Sequence, residues 1–240
     1  MTGEQPLLKV EDLVVHHGAA QALFGVSFQV RPGTALALLG ANGAGKSTIA
    51  RALSGLVPSR GVIEFAGTEI GGWRAHRIRQ AGLVYLPEGR GIFPGLSVLD
   101  NLKMATDGLS SADRRATYAK VYELFPVLGQ RRGQVAGSMS GGEQQMLSLA
   151  RAVCASPSLV IADEMSLGLA PKLVDSVFES LQRMLASGVA IVLIEQFVQR
   201  ALAFASECVV VQRGRVAWSG EAAASREEIV SRYLGSAKPA

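Results

Sequence analysis

Short, nearly uninterrupted apolar runs recur along the chain, and each ends in glycine or polar residues. They occupy residues 35–39, 82–86, 159–162 and 189–194. Apolar runs of this length that do not alternate with polar residues are typical of strands covered on both faces, as in a parallel sheet. The pattern therefore predicts an α/β fold with a mostly parallel core sheet.

Segments 7–15, 23–30 and 62–67 differ, because apolar and polar residues alternate along them. Such alternation is typical of strands with one solvated face. Residues 16–20 predict a turn between the first two segments. We expect the three segments to form a small antiparallel sheet beside the core. A further strand, turn and strand are predicted over 208–218.

Helical spacing and capping residues predict the remaining elements. Ser97 with Asp100, and Ser140 with Glu143, have the spacing of capping boxes. In the helix after Ser140, the apolar residues at 146, 149, 150 and 153 are expected to face the core. The predicted helical segments are approximately 46–56, 96–135, 141–153, 171–187 and 225–234.

The first apolar run ends in Gly40-Ala-Asn-Gly-Ala-Gly-Lys-Ser47, which matches the P-loop pattern G-x-x-x-x-G-K-[ST]. Phosphate oxygens need several inward-pointing main-chain N–H groups, and small residues let the main chain approach that closely. The N-terminus of the following helix favours an anion, Lys46 adds a positive charge, and the Ser47 hydroxyl can bind Mg²⁺. Because strand, loop and helix occur in the required order, we predict a nucleotide site rather than a chance turn.

The apolar run at 159–162 ends in Asp163 and Glu164. Acids at the carboxyl end of a buried parallel strand lie in the crevice where open α/β sheets bind ligands. We therefore expect Asp163 to hold Mg²⁺ and Glu164 to polarise an attacking water. A solvated acidic turn is the alternative interpretation.

Gly141 and Gly142 open the predicted helix after Ser140, although each glycine weakens a helix by about 1 kcal/mol relative to alanine. A capped helix explains Ser140 and Glu143 but not the glycine pair. A phosphate that approaches the main chain here would explain it.

Composition limits the class of protein. The 240 residues are 48% hydrophobic and 18% charged, which excludes a disordered chain. The sequence shows neither an apolar run long enough to span a membrane nor a recognisable signal peptide. Cys154 and Cys208 lie within apolar runs and are interpreted as buried thiols of a reducing compartment. We therefore expect a soluble cytoplasmic protein. A mean hydropathy of +0.25 indicates that partners cover some apolar surface. The formal charge of +4 is compatible with binding to nucleic acid, with binding to an anionic membrane, or with an ordinary surface that faces a polyanionic nucleotide.

Together these motifs resemble those of ABC-transporter ATP-binding subunits over nearly the full length of the chain. Residues 40–47 are similar to Walker A and residues 159–163 to Walker B. Ser140-Gly-Gly-Glu-Gln144 is similar to the ABC signature, which is far more specific than a P-loop alone.

The resemblance implies further positions: His17 for the ring that stacks on adenine, Glu88 for the Q-loop, 166–170 for the D-loop and Gln196 for the switch histidine. The implied nucleotide-binding residues are His17, Gly40, Ala41, Asn42, Gly43, Ala44, Gly45, Lys46, Ser47, Thr48, Ser140, Gly141, Gly142 and Glu143. The implied Mg²⁺ ligands are Ser47, Glu88 and Asp163, and the implied catalytic residues are Lys46, Glu164 and Gln196.

Within the family, the chain is most similar to the second ATPase subunit of branched-chain amino-acid importers, through residues 87–94, 166–171 and 194–196. It departs from that pattern at Met165, where proline is usual, and at Phe197, where asparagine is usual. Gln196 lacks the imidazole of the switch position, but an amide can still donate a hydrogen bond. ATP hydrolysis is therefore expected, at the same rate as with a switch histidine or at a lower one.

The resemblance implies one ABC ATPase domain over 1–240. Residues 7–88 and 158–220 would form the nucleotide-binding core with its antiparallel subdomain, 89–157 the helical subdomain, and 221–240 a C-terminal helix and tail. In the family, two subunits face head to tail, with ATP between the P-loop of one and the signature of the other. The implied cofactors are ATP and Mg²⁺. The implied partners are membrane-spanning permease subunits, a second ATPase subunit (identical or different) and, indirectly, a solute-binding protein; nucleic acid is not among them. The implied location of the chain is the cytoplasmic face of the plasma membrane.

Other function classes fit less well. ABC ATPases that act on DNA carry long coiled coils between Walker A and the signature, and those that act on ribosomes carry two cassettes; this chain has neither feature. A structural pseudo-ATPase conflicts with the intact Lys46, Ser47, Asp163 and Glu164. An importer of urea, amides or other amino acids stays open.

One apolar cluster has two interpretations. Ile92, Phe93, Leu96 and Val98 lie near Glu88 in the sequence. They form either a groove for a helix of a membrane subunit or ordinary core beneath the helical insertion.

Overall fold

The computed structural model describes residues 5–89 and 91–223. The strands are β1 (Leu8–His17), β2 (Ala20–Val30), β3 (Ala35–Leu39), β4 (Ser59–Phe65), β5 (Thr68–Glu69), β6 (Leu83–Leu86), β7 (Leu159–Asp163), β8 (Ala190–Ile194), β9 (Glu207–Gln212) and β10 (Arg215–Glu221). The α-helices are α1 (Lys46–Leu53), α2 (Ala75–Gln80), α3 (Val98–Ala105), α4 (Ser111–Leu124), α5 (Pro126–Gln130), α6 (Gly141–Val153), α7 (Pro171–Ala186) and α8 (Val198–Phe204).

The N-terminal part forms the expected antiparallel sheet, in the order β2-β1-β4-β5. The predicted turn at 16–20 is wrong in its extent. His17 pairs with Ala20 across the hairpin, so the strands continue to a two-residue turn in which Gly18 has a φ of +59°. Glycine is suited to this left-handed conformation. β4 likewise begins at Ser59, before the predicted start at 62, because Ser59 pairs with Val15.

The second sheet has the order β10-β9-β3-β8-β7-β6, with β9, β3, β8, β7 and β6 parallel and β10 antiparallel at the edge. The expected mostly parallel core is confirmed, and every residue of β3, β7 and β8 is buried. Alternate residues of β3 face two apolar cores. One contains helices α6 and α7, and the other contains α1 and the antiparallel sheet. This strand order brings the carboxyl ends of β3, β8 and β7 together at one edge of the sheet.

The region predicted as mixed helix contains three short helices, α3, α4 and α5, and Ser97 caps the first through the N–H of Asp100. Both hydrogen bonds of the Ser140–Glu143 capping box are present at the start of α6. The predicted apolar stripe of α6 describes only part of its burial, because Gln144, Gln145 and Ser148 are also buried. The helix packs against α3, α4, α5, α7 and β6, so several faces are covered.

Cys154 and Cys208 are buried free thiols, as predicted. The predicted helix at 225–234 and the tail lie outside the described residues. Within residues 5–89 and 91–223, every helix is too short or too polar to cross a bilayer.

Candidate functional site

The glycine-rich loop connects the end of β3 to the start of α1 and passes close to neighbouring main chain. A Cβ atom on Gly40 would lie 2.4 Å from the Val211 carbonyl oxygen. Gly45 has a φ of +111°, and a Cβ there would lie 2.7 Å from Leu23 Cδ2. Since neither position accommodates a side chain without displacement, both glycines are required by the shape of the loop.

The Lys46 side chain lies within this loop. Its Nζ donates hydrogen bonds to the carbonyl oxygens of Gly40, at 2.7 Å, and Ala41, at 3.1 Å. Burial lowers the pKa of Lys46, and the nearby Glu164 and Asp163 carboxylates oppose that change. The loop therefore holds one desolvated cation at its centre, which suits a polyphosphate ligand.

Asp163 ends β7 as a buried carboxylate with one unsatisfied oxygen. Its Oδ2 accepts a hydrogen bond of 2.9 Å from the Tyr85 hydroxyl, and its Oδ1 has no partner among the described residues. Burial raises the pKa of Asp163, while hydrogen bonds from Tyr85 and Ser47 lower it. Burial and the Asp163 charge also raise the pKa of Tyr85.

These oxygen atoms fit a magnesium ion. A buried carboxylate oxygen without a partner, close to the Ser47 hydroxyl, supplies the donors that Mg²⁺ prefers. In the described part of the chain, no group of three or more His, Cys, Asp or Glu side chains could hold a metal ion. A cation here would therefore draw further ligands from phosphate and water, as is usual for Mg²⁺.

Glu164 and Gln196 meet at the ends of neighbouring strands. The Gln196 side-chain amide donates a hydrogen bond of 2.9 Å to Glu164 Oε2. The Glu164 N–H donates to the Ile194 carbonyl, also at 2.9 Å. Glu164 has a φ of +49°, in the left-handed region that residues other than glycine rarely adopt. Strained backbone of this kind is frequent at functional sites.

A cleft of about 860 Å³ runs along this edge of the sheet. The predicted site residues that line it are His17, Asn42, Gly43, Gly45, Lys46, Ser47, Thr48, Glu88, Glu164 and Gln196. Leu167, within the implied D-loop, also lines it. Sequence reasoning missed four lining residues, Gln21, Ala22, Phe24 and Arg213, and also Tyr85 behind Asp163. Ala41 and Ala44 line an adjoining cavity of about 680 Å³ behind the loop. The cleft is large enough for a nucleotide.

His17 lies at the mouth of the cleft, at the end of β1. Its Nε2 is 3.3 Å from the Thr48 hydroxyl, and the side chain is otherwise exposed. Phe24 lines the same cleft, with the Arg215 guanidinium 5.0 Å from its ring centre. Two rings suited to stacking therefore border the space, where the sequence pattern identified one.

The predicted signature residues are not among those that line this cleft. Glu143 Oε2 accepts a hydrogen bond of 2.9 Å from the Ser140 N–H, and Arg131 forms a 3.2 Å ion pair with Glu143. A Cβ on Gly142 would lie 2.9 Å from Leu173 Cδ2 on α7. Close packing of α6 on α7 therefore gives Gly142 a structural reason, which the sequence did not reveal.

The apolar cluster beside Glu88 divides between its two interpretations. Val98 is 0% exposed and belongs to the core, whereas Phe93 is 43% and Leu96 37% exposed. Ile92 lines a cavity of about 390 Å³ together with Glu88. Within this cluster, the exposed apolar side chains that a partner could contact are therefore those of Phe93 and Leu96, in the loop before α3.

Comparison with known proteins identifies the family. The family model described as "ABC transporter" matches residues 23–166. The chain belongs to the ABC transporter family. It is 38% identical over 232 residues to the "High-affinity branched-chain amino acid transport ATP-binding protein BraG" of Pseudomonas aeruginosa, covering 95% of this chain and 100% of the relative. It is 30% identical over 218 residues to a "Probable branched-chain amino acid transport ATP-binding protein LivF" of Archaeoglobus fulgidus, covering 90% and 92%.

The fold is that of a solved component of an ABC transporter. The solved structure of cbiO1 from Clostridium perfringens, described as part of the ABC transporter complex cbiONQ, superposes with a TM-score of 0.84, covering 97% of this chain and 95% of that one. At 22% identity, this likeness shows the fold alone. As an ABC ATP-binding protein, the chain is a nucleotide-binding ATPase. ATP-binding subunits of ABC importers dimerise, work with membrane permeases and are peripheral to the membrane.

Proposed function

We propose that this ABC ATPase powers an importer for branched-chain amino acids. One observation carries the proposal: the BraG relative, named for this transport, aligns with 95% of the chain over its own entire length. The LivF relative supports the same solute class. The partners would be permease subunits and a second ATPase subunit, identical or different, at the cytoplasmic face of the plasma membrane. A solute-binding protein would act indirectly.

The proposed site follows the geometry of the cleft. Main-chain N–H groups of residues 40–48 and the Lys46 ammonium would bind the phosphates of ATP, and His17 would stack on adenine. Ser47, Asp163 and Glu88 would hold Mg²⁺, which offsets negative charge on the phosphates.

Glu164 would take a proton from the attacking water, and Gln196 would hold the Glu164 carboxylate in place. Residues Ser140, Gly141, Gly142 and Glu143 would serve the nucleotide bound by the partner subunit, which agrees with their position away from this chain's own cleft.

We also propose the domain division predicted above, with 7–88 and 158–220 as core, 89–157 as helical subdomain and 221–240 as a C-terminal addition. Exposed Phe93 and Leu96 in the helical part are the proposed contacts with the permease.

Two experiments test the proposal. Glu164→Gln should leave ATP binding intact and lower turnover by about 10²- to 10⁴-fold, because the variant lacks the general base. Wild-type turnover in this variant would refute the role of Glu164. For the solute, the membrane subunits that co-purify with the chain should be reconstituted in vesicles. ATP-dependent uptake of leucine is expected, and uptake of urea or amides instead would refute the branched-chain assignment.

A further inference from the structure

Glu195 is a buried acid beside the proposed catalytic pair. It lies between the end of β8 and Gln196, and 1% of the residue is exposed. In the part of the chain that the structure describes, Glu195 forms no salt bridge. Burying a carboxylate without a cation is costly, so such a group is retained only where hydrogen bonds compensate for the lost water.

The compensation comes from the loop that carries Glu164. The Ser166 N–H donates to Glu195 Oε1 at 3.1 Å, and the Ser166 hydroxyl donates to Oε2 at 2.6 Å. Ser166 is itself 1% exposed. Both donors thus belong to Ser166, two positions from Glu164, and the acceptor Glu195 is next to Gln196.

These bonds hold together the ends of two adjacent strands. Ser166 lies two residues beyond Glu164, and Glu195 directly precedes Gln196. The main-chain bond from Glu164 to Ile194 and the side-chain bond from Gln196 to Glu164 join the same two segments. Glu164 has left-handed backbone angles, which persist only where the surroundings impose them.

We propose that Ser166 and Glu195 form a buried latch that positions Glu164 and Gln196 for ATP hydrolysis. The inference rests on the proposed function of this site. Neither Ser166 nor Glu195 lines the cleft, so both are positioning residues that act through their neighbours. By fixing residues 164–166 against 194–196, the latch would keep the Gln196 amide at hydrogen-bond distance from the Glu164 carboxylate.

The simplest test is Ser166→Ala in the full-length chain, assayed with Mg²⁺ and ATP. We expect kcat to fall by about 10- to 100-fold, because small displacements of a catalytic group cost rates of this order. The dissociation constant for ATP should stay close to wild type, whereas the Tm should fall by a few degrees, because Glu195 Oε2 loses its hydroxyl donor. Ser148→Ala is the matched control: Ser148 is also buried, but its hydroxyl has no hydrogen-bond partner among the described residues. This control should keep wild-type kcat.

Variants of Glu195 test the other half of the latch. Glu195→Ala should lower kcat as Ser166→Ala does. Glu195→Gln should recover most of the activity, because the glutamine oxygen can accept from the Ser166 N–H while its NH₂ donates to the Ser166 hydroxyl. If Glu195→Ala does not fold, Ser166→Ala and Glu195→Gln decide the question.

The decisive comparison adds Ser166→Ala to the Glu164→Gln variant. Positioning of Glu164 predicts no further fall in the residual rate, because the base is already absent. Equal falls in both backgrounds, or wild-type kcat in Ser166→Ala alone, would overturn the latch. The proposed function fails separately, if Glu164→Gln itself retains wild-type turnover.

Discussion

Removing the side-chain amide of Gln196 tests whether this residue acts in place of a switch histidine. Gln196→Ala deletes the 2.9 Å hydrogen bond to Glu164 Oε2. Hydrogen bonds to charged groups contribute about 1.5–3 kcal/mol, and about 1.4 kcal/mol corresponds to a tenfold change in rate. If the bond is needed to hold the carboxylate in the transition state, kcat should fall by about 10- to 100-fold. The P-loop contacts are untouched, so ATP should bind as before.

The assay is single-turnover hydrolysis at saturating ATP, together with equilibrium binding of a nucleotide. Gln80→Ala, an exposed glutamine on α2, serves as the control and should behave as wild type. Gln196→His should restore most of the rate and add a dependence on pH around pH 6 to 7, since imidazole titrates there and an amide does not. Near-normal kcat in Gln196→Ala would show that the bond does not assist hydrolysis.

Two further variants or treatments probe the site and the core. Lys46→Ala should weaken ATP binding by about 10- to 100-fold, because the charged contact with phosphate is lost. Lys120→Ala, at an exposed lysine, is the control and should bind ATP as wild type does. Equal affinities of the two variants by calorimetry would contradict a role of Lys46 in binding phosphate. Burial raises the pKa of Cys154 to about 11 and that of Cys208 to about 12, so neither thiol should be alkylated by iodoacetamide at pH 8 until denaturant is added. A free thiol ionises at about 8.5, so between about pH 9 and pH 11 the cysteines lose their protons in the unfolded chain but not in the folded protein. The free energy of unfolding should therefore fall as the pH rises through this range, and the urea midpoint should decline. Rapid labelling of the native protein would show that the thiols are accessible.

The sequence predicts those parts of the fold that depend on near neighbours. The runs around β3, β7 and β8 have no alternation, and the Ser140–Glu143 spacing satisfies both bonds of a capping box within four residues. These signals are local, so they can be read without knowledge of the tertiary structure. The ends of β1 are less predictable, because His17 is a strand residue only through its pairing with Ala20.

The side-chain contacts within the site could not be predicted in the same way. The Tyr85 hydroxyl meets Asp163 across 78 positions of sequence, and Gln196 meets Glu164 across 32. Both contacts depend on the order in which parallel strands are placed in the sheet. Since crossover connections leave several orders open, periodicity along the chain does not specify such neighbours. Similarly, Val98 and Phe93 are both apolar, and only the packing of α3 determines which of them is buried.

The contact between Gly142 and Leu173 has a mechanical consequence. Because Leu173 Cδ2 lies only 2.9 Å from where a Cβ atom on Gly142 would be, the first turn of α6 cannot rotate towards α7 without displacing Leu173. α7 begins at Pro171, directly after the loop that starts at Glu164. A motion imposed on the first turn of α6 by another subunit would therefore reach Glu164 within the same polypeptide, through α7 and the loop that precedes it.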